Sequence, residues 1–86
     1  MKLTYDPSAD AMYVYLGRRR RVAKTEELPS FASDRMVDYA QDGTPIGIEV
    51  LGTKSGVDVA GLPLAAEVAA LLRQHGFIVV AERGAA

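Results

Sequence analysis

Apolar residues alternate with polar ones in two stretches of the chain and recur at helical spacing in a third, and these patterns predict most of its architecture. From Met36 to Leu51 two alternating runs flank Asp42-Gly43. That dipeptide suits a type I′ turn, whose two central residues both need positive φ. The pattern predicts a hairpin of strands over Asp34 to Ala40 and Pro45 to Leu51. With Gln41 facing Thr44 across the turn, Val37 lies opposite Ile48, Tyr39 opposite Ile46, Met36 opposite Glu49 and Asp38 opposite Gly47. Val37, Tyr39, Ile46, Ile48 and Val50 then share a core face, and Asp38, Gly47 and Glu49 lie on the reverse. Glycine inside a strand usually marks a close approach, and a ring from Tyr13 or Tyr15 laid over Gly47 is one candidate for it.

An earlier hairpin is predicted from Lys2 to Tyr5 and Ala11 to Leu16, joined through Asp6-Pro7-Ser8-Ala9-Asp10. Its second strand is apolar on both faces, with Met12, Val14 and Leu16 on one and Ala11, Tyr13 and Tyr15 on the other. That pattern fits an interior strand covered from both sides. Val22 to Leu28 alternates weakly and reads as a further strand ended by Pro29. Gly52 to Gly61 reads as a loop, and Pro63 opens a helix running to about His75. Leu64, Val68, Leu71 and Leu72 form its apolar stripe, and Gly76 supplies the residue that ends it. Phe77 to Ala81 follows as a continuous apolar run suited to a buried strand. The expected fold is α+β: one domain over residues 1–86, in which a small, mostly antiparallel sheet packs one face on a C-terminal helix and a final strand follows.

Composition narrows the chemistry. The chain has 86 residues, a formal net charge of −1 and no cysteine, so it lacks disulfides, thiolate ligands and thiol nucleophiles. No overall field draws it to nucleic acid or to a membrane surface. A reducing cytoplasm is the expected location, no leader is expected where Asp6 and Pro7 interrupt the start, and no run is long and apolar enough to span a bilayer.

Two segments carry a family resemblance. Tyr5-Asp6-Pro7-Ser8-Ala9-Asp10-Ala11-Met12-Tyr13-Val14-Tyr15-Leu16, and Val37-Asp38-Tyr39 with Asp42-Gly43 and Gly47-Ile48-Glu49-Val50-Leu51, resemble the two motifs of small bacterial proteins grouped as the domain-of-unknown-function 2283 family. The likeness covers a β-meander over about residues 1–51, and residues 52–86 add the loop, helix and last strand. Ala40 stands where the family motif carries a second aspartate. The resemblance implies a small sheet with a helix and no established activity, and some relatives are thought to be antitoxin-like partners of small toxins.

Four acids lie in these motifs: Asp6, Asp10, Asp38 and Glu49. Gathered in space, they could hold a divalent cation for hydrolysis, the enzymatic alternative. Turn capping and a polar sheet face account for them more simply, so no catalytic, metal or cofactor residue is assigned. Arg18 to Arg21 is the one dense basic run, but it lacks interleaved aromatics, and nucleic acid is not the expected partner. His75 suits the negative end of a helix, no serine has a nucleophile-elbow context, and Gly47 to Ser55 only faintly echoes a phosphate loop. Tyr13, Tyr15 and Gly47 are the expected protein interface. One helix covers only one face of so small a sheet, and a tyrosine-bearing reverse face suits association, most simply as a homodimer. The expected function is therefore a non-enzymatic, dimeric protein-binding module.

Overall fold

The computed structural model describes residues 1–80. Five strands form one antiparallel sheet: β1 (Lys2–Asp6), β2 (Ala11–Tyr15), β3 (Lys24–Leu28), β4 (Asp34–Tyr39) and β5 (Pro45–Leu51). Their spatial order is β1-β2-β5-β4-β3, so the two hairpins meet through β2 and β5, and β2 is an interior strand as expected. The strand read over Val22 to Leu28 starts two residues later, at Lys24.

The β4–β5 register holds at Val37↔Ile48, Met36↔Glu49 and Asp38↔Gly47, but Tyr39 faces Pro45 rather than Ile46. The turn explains the difference. Gly43 N–H bonds Ala40 O at 2.9 Å, and Ala40 N–H bonds Thr44 O at 2.9 Å, which makes a three-residue loop with only Gly43 at positive φ (87°). This is the turn-plus-glycine arrangement of longer hairpins rather than the two-residue type I′ turn. Its extra residue is absorbed by a bulge at Asp38/Tyr39, which leaves Ile46 without a partner on β4 while its backbone O accepts from Leu16 N–H.

A 3₁₀ turn (Thr53–Ser55) leads to β6 (Val57–Asp58), helix α1 (Ala65–Gln74) and β7 (Val79–Val80). The helix is shorter than expected because Leu64, at φ 53°, bends the chain just before it and leaves that side chain half exposed instead of in the stripe. Its end is as expected: Gly76 has φ 84°, and Phe77 N–H bonds Leu72 O at 3.0 Å. Only Val79 and Val80 of the expected last strand pair, parallel to β6 in a separate two-stranded sheet, and Ala81 lies outside the described residues. The β6–α1–β7 passage therefore builds its own small unit instead of extending the main sheet.

The core lies between the main sheet and this unit. Met12, Val14, Val37, Ile48 and Val50 project from the sheet to meet Val57, Leu62, Val68 and Leu72. The alternation in the strands thus sends one set of side chains under the helix and the other to the opposite side.

Candidate functional site

The reverse face follows from the register. At one end lie Lys2, Tyr15, Gly47, Asp38 and Thr25, with Tyr13, Glu49 and Met36 in the middle row. Asp6, Ala11, Leu51 and Asp34 close the other end. Tyr13, Tyr15, Met36 and Glu49 are only partly buried, and Leu51 is exposed.

Tyr13 stands opposite Glu49, but its ring leans diagonally over Gly47 so that its hydroxyl donates to Asp38 Oδ2 at 2.7 Å. A Cβ at position 47 would overlap the Tyr13 hydroxyl and Cζ and lie 2.7 Å from Cε2. The missing side chain is what lets the ring lie flat, as the sequence suggested. Asp38 accepts a second bond, from Thr25 Oγ1 at 2.6 Å, which joins β2 to β3 across the sheet. Burial, and then the Asp38 carboxylate, push the Tyr13 hydroxyl well above the usual phenol range, so it stays a donor. Tyr15 packs edge-on against Tyr13, with ring centroids 4.7 Å apart. Arg19 lies over the Tyr15 ring at 5.0 Å and donates from Nη2 to its hydroxyl at 3.0 Å. These groups, with Arg20, Val22 and Ile46, line a shallow depression of about 300 Å³.

The four motif acids do not converge, and among the described residues no group of three or more His, Cys, Asp or Glu side chains is placed to hold a metal ion. Asp6 caps its own turn, accepting from Ser8 N–H at 3.0 Å and from the Ser8 hydroxyl at 2.7 Å. Asp38 is engaged by Tyr13 and Thr25. Asp10, at φ 48°, ties the first hairpin to the 3₁₀ turn: Oδ1 accepts from the hydroxyls of Thr53 and Tyr5, and Oδ2 accepts from Lys54 N–H. Thr53 lies 43 residues away, a partnership that no local pattern signals.

The Thr53 hydroxyl first, and then Tyr5 and Lys54, hold the Asp10 carboxyl below its ordinary 3.8. The stability this contributes is present above that value and is lost as pH falls through the lower folded-state value. Asp10→Asn should therefore lower the melting temperature at neutral pH, and the gap to the parent chain should close as the pH is taken from about 5 to about 2. A gap that stays constant over that range would show that the charge of Asp10 contributes nothing.

Arg35 and Asp58 were not singled out from sequence, yet both are buried on the core side. Arg35 Nε donates to Leu28 O at 3.2 Å, and Nη1 donates to Asp58 O at 2.8 Å and Ala60 O at 2.6 Å. The Asp58 carboxylate accepts from the Ser30 hydroxyl and from Ala60 N–H. Together they fasten the β3–β4 loop to the segment after β6. Parity was the signal available, because Arg35 alternates in phase with Val37.

The family model for proteins of unknown function DUF2283 matches residues 2–54. The chain belongs to the DUF2283 family. No curated protein and no solved structure matches it. The DUF2283 match takes in β1 to β5 and most of the 3₁₀ turn, so the Tyr13–Asp38 bond and the Asp10 tie to Thr53 both lie inside it. The Arg35–Asp58 fastening reaches beyond it to the helical unit. None of the described helices is long and apolar enough to cross a membrane.

Proposed function

We propose that this domain is a non-enzymatic protein-binding module that associates through the reverse face of its sheet, most simply as a twofold homodimer. The observation that carries the reading is the pair of partly buried rings, Tyr13 and Tyr15, on the sheet face opposite the one that packs on the helix. Tyrosine is productive at an interface, since it joins a large apolar body to a polar tip. Hydrogen bonds to Asp38 and from Arg19 hold both rings before any partner arrives, which reduces the ordering cost of association.

Tyr15 is the better probe, because Tyr13 also holds the sheet together through Asp38. The parent chain should sediment with twice its 9.2 kDa mass, and Tyr15→Ala should weaken the self-association about thirtyfold while leaving the melting curve of the isolated fold nearly intact. A parent chain that stays monomeric at high concentration would dismiss the homodimer. An antitoxin-like regulator that holds a small toxin on the same face is the reading implied by the family resemblance, and a pull-down in which Tyr15→Ala releases such a partner would favour it.

A further inference from the structure

The reverse face is electrostatically lopsided along the strand direction. Lys2 lies at the Tyr15 end, where Arg19 and Arg20 of the Arg18–Arg21 run line the depression beside Tyr13 and Tyr15 and where Asp38 is engaged by Tyr13 and Thr25, whereas Asp6 and Asp34 lie at the other end. Tyr15 and Ala11 are four residues apart on β2, which is about 13 Å at strand rise. This exceeds the screening length of about 8 Å at physiological salt, so the two ends act as separate patches. Arg20 is bound to Asp42 at 3.1 Å, but Arg18, Arg19 and Arg21 have no carboxylate within 4.0 Å among the described residues. Arg19 is already laid on the reverse face by its contact with the Tyr15 ring.

Size points the same way. Five strands of about five residues give a flat footprint of about 400 Å², roughly half of the 800 Å² that each partner contributes to a standard interface. A stable pair of copies needs contacts beyond the sheet itself, and the arginine run at its end is placed to provide them.

Resting on the association reading above, we infer that a second copy packs on this face with its strands reversed, so that the Arg18–Arg21 run of each chain lies on the acidic end of the other. A twofold axis in the plane between the sheets and perpendicular to the strands produces that arrangement. An axis parallel to the strands would instead set arginines against arginines.

Charge exchange tests the orientation. One variant carries Arg18→Glu and Arg21→Glu, with Arg19 kept for its hold on Tyr15 and Arg20 for its bond to Asp42. The other carries Asp34→Lys at the acidic end and Glu27→Lys in the adjoining row beside Met36, two exposed acids on the same face whose side chains make no hydrogen bond among the described residues. Circular dichroism melts check that both variants fold. Each alone should self-associate at least about tenfold more weakly than the parent at low salt, and an equimolar mixture should recover a heterodimer of near-parental affinity. In the mixture, the reversed run of one variant meets the reversed acids of the other, and the unaltered pair also matches. A dimeric parent whose run-reversed variant associates equally well or more tightly, or a mixture that recovers nothing, overturns the reversed-strand arrangement and leaves the association reading standing. A parent that never dimerises removes both.

Discussion

Arg35→Met is expected to cost about 3 kcal/mol of folding stability, measured as a lower urea midpoint with an unchanged slope. Methionine roughly keeps the length of the side chain, so the loss isolates the guanidinium. Three backbone carbonyls, on Leu28, Asp58 and Ala60, would lose their donors, and that of Asp58 sits where water does not reach. An unsatisfied buried carbonyl costs about 1–3 kcal/mol, while the two at partly buried positions regain some of their loss from solvent. For a domain of this size, with a total stability of about 5–10 kcal/mol, the change is large. Arg35→Lys should recover less than half, because one ammonium cannot reproduce the planar fork that spans three acceptors. A methionine variant within about 0.5 kcal/mol of the parent would show that the loop and the post-β6 segment are held by packing alone.

Arg35 also shows what the sequence concealed. Alternation put it on the same face as Val37, but charge argues for the surface, and the carbonyls that satisfy it come from segments 7, 23 and 25 residues away. Periodicity reports which face a residue is on; it says nothing of acceptors supplied by a loop that returns from elsewhere. The same limit applies to Asp10, whose turn position was legible and whose bond to Thr53 was not. The hairpin turn departs from its pattern for a different reason. Asp-Gly serves a two-residue turn or the last two places of a three-residue one, and a bulge downstream can absorb the difference without disturbing the pairs at Val37, Met36 and Asp38. What the pattern did convey was the division of the sheet into a helix-covered face and a tyrosine face, because a one-residue slip would have reversed every side chain on it.

That division makes Gly47 the most sensitive position on the reverse face. Gly47→Ala is expected to cost about 2–4 kcal/mol, since a methyl group there coincides with the Tyr13 hydroxyl and the end of its ring. Gly47 has no unusual φ, so the cost arises from the neighbouring ring and not from the backbone. The ring must lift, and the Tyr13–Asp38 bond breaks with it. Asp38 then keeps only Thr25, on an edge strand. A double-mutant cycle separates this from a general intolerance of the strand: in a Tyr13→Ala background, Gly47→Ala should cost under about 0.5 kcal/mol, an interaction energy of about 2 kcal/mol or more. Tyr13→Phe should give little relief, because Cζ and Cε2 still obstruct the methyl group. If Gly47→Ala costs the same with and without the Tyr13 ring, close approach of the ring is not why glycine is needed at this position. Because the displaced ring belongs to the proposed contact surface, the single variant should also lose self-association in sedimentation under conditions where it remains folded, which ties the packing of one glycine to the function inferred for the face above it.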